Sequence, residues 1–492
     1  MKFIYIMYKK FIIYYLLFST TLVQAQEMES LRVLSPEQMK EDVLFFYKKI
    51  EEIHPNPYCV LDKAQYETKK QELLNSLDKP MNEIEFWLKI GQLNSIYDAH
   101  TKIEIPESII SFLLERNSLF FFNGMLKVQN KHFYWNNLEG VPDSLKNREI
   151  LKINNVSTRE IVNNISNYIS HESEIIMNLF IGYIYFYLLY PLLYDIPQVL
   201  NIDYFDNVTN KNKSIILSME DFEQWDSVYR QFLGTLKPYS FRFYENDEIA
   251  IFELNSFGFF NESEDKKTVY DRYDKDLEKA FDSLNKSNIK HLFVDITRNS
   301  GGNSHFGDIF LDYLDVPQKR YSGEITHKIS KESREVRGFN SRKSYWKVFS
   351  SKFARQMLLT RKGKTFTKKY YHTKEQKPCV YYGNVYLLQS NLTYSAAMGL
   401  SSFFKHYNFG SIIGEETSGL TACYIDSYNH KLPHSNFLMF CSMQECIEPG
   451  GKWDGRGVLP DIEYKIENPE KSFTLEQLKD MLQLVEEYKK NQ

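Results

Sequence analysis

The second half of this sequence predicts an α/β fold with a mostly parallel, layered sheet. Three observations carry that reading. Apolar runs of strand length recur at Ile249–Leu254, 289–296, Asn384–Gln389 and Ser411–Gly414. Polar or glycine-rich turns follow them, as in Thr297-Arg298-Asn299-Ser300-Gly301-Gly302. Helical segments stand between them, one reaching Leu284 and one over 394–407. Strand, turn and helix in repetition build parallel crossovers.

Residues 35–96 read as helices. Ser35-Pro36-Glu37-Gln38 combines an N-cap, a proline at the first helical position and a capping-box glutamine. Met39, Val43, Phe46, Ile50 and Ile53 then keep helical spacing until Pro55. Asp62 with Gln65 opens a second helix, and Asn82 with Glu85 a third that carries Phe86, Ile90, Leu93 and Ile96 on one face. From about 119 to 244 the pattern turns to short strands. Residues 149–155 alternate apolar and polar and end in an Asn-Asn turn, with a helix beginning near Thr158. The apolar stretch 179–194, broken by Gly182 and Pro191, reads as buried structure rather than a membrane span. Residues 319–377 carry 18 Lys and Arg against 4 Asp and Glu, a net of +14, and read as a solvated basic insertion or, alternatively, a binding surface for an anionic substrate or envelope polymer. A final helix is expected over 471–492.

At the N-terminus, Lys9 and Lys10 precede a short apolar run and a Val23-x-Ala25 site, the form of a secretory signal cut before Gln26. The chain is therefore expected to be exported, to a periplasmic or extracellular location. Removing residues 1–25 takes away three lysines and moves the net charge from −4 to −7. Apolar residues at 43 % and charged residues at 25 % exclude a disordered or multi-span chain. Sixty basic against 64 acidic residues exclude a dedicated nucleic-acid binder. Five cysteines are too few for a disulfide scaffold, although Cys441 and Cys446 could bridge a hairpin or simply be buried.

Ser395 follows a strand and a short loop and opens a helix, where free N–H groups favour charge developing on an attacked carbonyl. Serine at that position also serves as a plain N-cap. Gly301-Gly302 can bring backbone N–H groups close to a substrate oxygen. His100, in Asp98-Ala99-His100-Thr101, is the candidate general base. His430 and His434 have metal-ligand spacing, but Pro433 excludes a regular helix between them. No phosphate-binding loop or dinucleotide fingerprint is present, so neither cofactor nor metal is expected.

These segments together resemble the S41 serine peptidases, the tail-specific or C-terminal processing protease and tricorn-core group. Asp98-Ala99-His100-Thr101 is similar to that family's D-G-H-T, and Asp295 to Asn303 to its D-x-R-x-N-x-G-G strand end. Thr393-Tyr394-Ser395-Ala396-Ala397 resembles its nucleophile segment. Gly414 to Gly419 resembles its G-E-x-T-x-G turn, and Gly457 to Ile462 its G-V-x-P-D stretch. Residues 148–161 resemble the strand and helix of its PDZ-like module, without a convincing carboxylate-binding loop. The resemblance implies a crotonase/ClpP-like layered α/β catalytic domain over 241–470. A helical unit at 26–105 and a PDZ-like α+β module at 106–240 would precede it. It implies an endopeptidase acting on peptides or unfolded proteins, with Ser395 as nucleophile, His100 as base and an oxyanion hole at Gly301, Gly302 and Ala396. The processing branch's lysine is missing after Gly419, which favours His100. Ala99 stands where the tricorn-like branch has a serine, and Asp454 falls near its carboxylate, which implies a catalytic role for Asp454 in orienting the His100 ring; an ordinary turn aspartate before Gly455 is the other reading. The competing expectation is an envelope peptide-binding protein with this fold and impaired catalysis.

Overall fold

The computed structural model describes residues 31–115, 125–194, 199–258, 264–468 and 471–491; the expected signal at 1–25 lies outside them. The helical unit contains α1 (Pro36–Ile53), α2 (Lys63–Asn75) and α3 (Glu83–Ile90). Each begins with a complete capping box, at Ser35/Gln38, Asp62/Gln65 and Asn82/Glu85, so paired side chains satisfy the orphan N–H groups. A short strand, β1 (Lys102–Ile103), leaves this unit.

An antiparallel sheet in the order β2-β3-β4-β5-β6 follows, made of Leu126–Gln129, His132–Trp135, Glu149–Ile153, Val199–Asp206 and Lys211–Ser218. Helices α4 (Thr158–Ser166) and α5 (Glu174–Leu193) belong to the same module. Helix α5 has the length and apolar character of a membrane span, but half of its apolar window is buried. Ile176, Ile181, Phe186 and Leu189 are among its buried residues. Met219–Thr235 forms α6.

The second half carries a six-stranded sheet in the order β7-β8-β9-β12-β13-β16. In chain order its neighbours are β7 (Tyr239–Tyr244), β8 (Ile249–Leu254), α7 (Lys266–Lys286), β9 (His291–Asp295) and α8 (His305–Asp312). Then come β10 (Lys319–Lys328), α9 (Lys331–Val336), α10 (Lys352–Leu359) and β11 (Thr365–Thr373). The chain continues through β12 (Asn384–Gln389), α11 (Ala396–Tyr407) and β13 (Ser411–Gly414). It closes with β14 (Ala422–Lys431), β15 (Leu438–Ile447), β16 (Ile462–Glu463) and α12 (Leu475–Lys490).

Only β7 runs antiparallel in the six-stranded sheet. Strand β8 is buried along its whole length because apolar layers cover both faces: Ala250, Phe252 and Leu254 pack on one side, Ile249 and Ile251 on the other. A second sheet, β11-β10-β15-β14, is antiparallel, and β1 from the N-terminal unit pairs with β15 at Ile103↔Met439. The basic stretch 319–377 is thus anchored at both ends in a sheet, since β10 pairs with β11 and β15. Cys441 and Cys446 lie on one strand, not across a hairpin, which corrects the bridge considered above; Cys446 faces Cys423 in the register.

Candidate active site

Strand β12 delivers the segment that matters most. After Gln389 the chain turns through 390–394, where the Thr393 hydroxyl donates to the Ile296 carbonyl at 3.0 Å and the Tyr394 N–H to the Asn299 carbonyl at 3.2 Å. Ser395 is then held at φ 53° and ψ −126°, and α11 begins at the next residue. A side chain rarely adopts that backbone conformation, and only surrounding structure can impose it. The Ser395 side chain makes no capping bond, so the hydroxyl is not spent on the helix end. This separates Ser395 from an ordinary N-cap.

Gly301 and Gly302 explain how the turn comes so close. At Gly301, with φ +92°, a Cβ would stand 2.8 Å from the Ser395 Cβ and 2.9 Å from the Ala396 nitrogen. At Gly302 a Cβ would stand 2.3 Å from the Phe257 carbonyl oxygen. The Gly301 N–H is donated to Asn299 Oδ1 at 2.9 Å. Its place in the expected oxyanion hole is therefore corrected: Gly301 gives room, not a hydrogen bond. Gly302 and Ala396 do line the cavity, and the Ala396 N–H, first in α11, has no acceptor within its helix. Beneath the turn, buried Arg298 reaches Asp295 at 3.2 Å and Glu253 at 3.6 Å, tying the ends of β9 and β8 together.

His100 reaches the same cavity from the N-terminal unit. Its turn is fixed by buried Asp98, which accepts from the His100 N–H at 3.0 Å, the Ser442 hydroxyl at 2.7 Å and His54 Nε2 at 2.8 Å. His54 Nδ1 accepts the Asn56 N–H, so Nε2 bears the hydrogen given to Asp98. Burial alone would raise the Asp98 carboxyl, but bonds from His54 and Ser442 and the nearby imidazoles outweigh it and hold it well below the carboxylate range. Burial lowers the His100 imidazole below its ordinary value despite the Asp98 charge. A neutral ring at neutral pH is the form a general base needs.

Ser395, His100, Gly302 and Ala396 line one cavity of about 440 Å³, joined by Glu172 and Glu448. Burial, assisted by the Asp98 charge, pushes the Glu172 carboxyl up to about 8. The donor atoms of Asp98, His100 and Glu172 lie within 4.8 Å of one another, close enough to hold a cation in principle. Both His100 Nδ1 and Glu172 Oε1 are enclosed without a hydrogen-bond partner. Burial pushes Glu448 up to about 7; a Cβ on Gly399 would stand 3.6 Å from either of its oxygens.

Asp454 is elsewhere. It is exposed in a turn where its Oδ1 accepts the Arg456 N–H at 3.0 Å, and it does not line the cavity. The orienting role given to it is corrected by that placement. Glu172 escaped the sequence reading because it sits in an unpatterned link before α5, 72 residues from His100. Glu448 precedes Pro449-Gly450-Gly451, a turn signal that could have drawn attention.

The family model described as Peptidase family S41 matches residues 248–464. The chain carries a peptidase family S41 domain. S41 peptidases are serine hydrolases, and the matched stretch holds Gly302, Ser395, Ala396 and Glu448. His100 and Glu172 lie outside it and enter the site through the fold. No curated protein matches the sequence significantly. Among solved structures, mature CPAF complexed with lactacystin is similar at 12 % identity and a TM-score of 0.57, over 93 % of this chain and 99 % of that one. A second structure of mature CPAF gives 11 % and 0.53, over 87 % and 92 %. These likenesses are of fold, and they extend well beyond the matched S41 domain to the helical unit and the β2–β6 module.

Proposed function

We propose that this S41 protein is an exported serine endopeptidase in which Ser395 attacks the scissile carbonyl and His100 takes its proton. The N–H groups of Gly302 and Ala396 receive the oxyanion, and Asp98 steadies the positive charge that forms on the imidazole. The observation that carries this reading is the strained Ser395, with its hydroxyl uncommitted, in one cavity with a neutral His100. A fluorophosphonate probe should label Ser395 in the folded protein. No adduct, with folding intact, would instead favour the binding protein with lost turnover.

The substrate is a peptide or an unfolded protein, recognised through the PDZ-like module. A groove of about 810 Å³ runs between edge strand β2 and helix α5, with Ser390, Asn391 and Leu392 at its catalytic end. Among the described residues no strand pairs with the outer edge of β2, and such an edge beside a helix suits an extended peptide added as a further strand. The loop leading to Ser395 thus borders the groove that would hold the substrate. No cofactor is part of this reading.

A further inference from the structure

The lobe between β10 and β11 has a small core of its own, made of Ile329, Phe339, Ala354, Met357 and Leu358. Its outer surface does not follow the usual pattern of a solvated loop. Residues Arg342–Phe349 form a 3₁₀ helix, in which positions three apart eclipse, so Trp346 and Phe349 share one side. They are 78 % and 82 % exposed. Two serines later, α10 turns Ala354, Met357 and Leu358 inward, leaving Lys352, Arg355 and Leu359 outside. From Val336 to Lys374 the chain has 12 Lys and Arg and no Asp or Glu. A large positive field on a protein of net charge −4 thus coincides with the two most exposed aromatic rings among the described residues.

Solvation alone would account for the charges but not for the rings, which are favoured only when something covers them. A surface with negative headgroups above an apolar layer satisfies both features. Aromatic rings seat at such an interface, while Lys and Arg stems reach past them to the headgroups. We propose that this lobe docks the protein on an anionic lipid surface. Trp346, Phe349 and Leu359 enter the interfacial layer, and Lys347, Lys352, Arg355, Arg361 and Lys362 meet the headgroups. The lobe is firmly rooted: Lys328 donates to the Glu51 and His54 carbonyls at 2.7 and 2.6 Å, and Lys49 pairs with Glu332 at 2.7 Å. Docking would therefore orient the whole helical unit that carries His100.

The test uses the full chain with Ser395→Ala, so that its outcome is independent of hydrolysis. Flotation is measured with phosphatidylcholine vesicles, with and without a minority of phosphatidylglycerol. Binding is expected with the anionic vesicles only. Trp346→Ser/Phe349→Ser and Lys352→Glu/Arg355→Glu should each weaken it by about tenfold or more, with unchanged melting temperature. Comparing variants in one background cancels any lipid affinity of residues 1–25. Absence of flotation with either vesicle would overturn the proposal. So would flotation undiminished by loss of the two rings, or equal binding to a single-stranded oligonucleotide, since charge alone would then explain it. Self-association without lipid that the Trp346→Ser/Phe349→Ser change abolishes would assign the surface to a second copy instead.

Discussion

Ser395 stores strain at the point of the proposed attack: a non-glycine residue in such a conformation costs on the order of 1–3 kcal/mol. Ser395→Gly should therefore abolish hydrolysis yet raise stability by about 1 kcal/mol in chemical denaturation. Ser395→Ala should be equally inactive without that gain. A Gly variant no more stable than the Ala variant would show that the backbone is not strained. His100 supplies a second residue-scale expectation. Its proton affinity is lowered by burial, so the base form persists below the usual histidine range. The acid limb of kcat/KM should fall with a midpoint under about 6.5, and activity should hold through neutral pH. A profile set by a group titrating above about 8 would point to a lysine instead. Asp98 is the residue on which the turn depends. Asp98→Asn would leave His54 Nε2–H without a charged acceptor and should cost about 1.5–3 kcal/mol of stability in chemical denaturation, together with orders of magnitude in kcat. Glu172 should tolerate glutamine at pH 7, because a carboxyl raised to about 8 is already neutral there.

Among the elements, the turn after β9 bears most directly on the nucleophile. Gly301→Ala would force a Cβ against the Tyr394 carbonyl oxygen at 2.7 Å and the Ser395 Cβ at 2.8 Å. Fluorophosphonate labelling should slow by at least about tenfold, a displacement effect of the size expected when reacting groups lose alignment. Near-normal labelling would mean that the turn does not set the serine's position. The same elements show what a linear sequence can and cannot reveal. Capping boxes at Ser35, Asp62 and Asn82 are local, three residues wide, and formed as read. The strand–turn–helix around Ser395 was equally legible from its apolar run, short loop and helical spacing, whereas the Ser395 backbone conformation is imposed by packing against the turn after β9. Cys441 and Cys446 were not, since nothing nearby says whether a turn separates them; both fall on β15. Asp454 stood near the right place in the chain and yet lies in an exposed turn. Glu172 and His54 surround the Asp98–His100 turn only because distant segments pack there, and no spacing rule encodes that.

Across the whole molecule, the proposed nucleophile and base come from two widely separated stretches of chain, near residues 395 and 100, and Glu172 joins their cavity from a third. The N-terminal turn is held by the last third of the protein: Ser442 accepts a hydrogen bond from Thr101 and donates one to Asp98, and β1 pairs with β15. During vectorial synthesis, His100 emerges more than 300 residues before the strand that fixes it. A nascent chain lacking 438–447 should therefore show no probe labelling at Ser395, even with every residue through β14 already made. Labelling of such a stalled chain would show that β15 is dispensable. If the expectation holds, the protein carries its own delay. Under the proposed activity it could not cut neighbouring unfolded polypeptides, or itself, until its long-range pairing is complete.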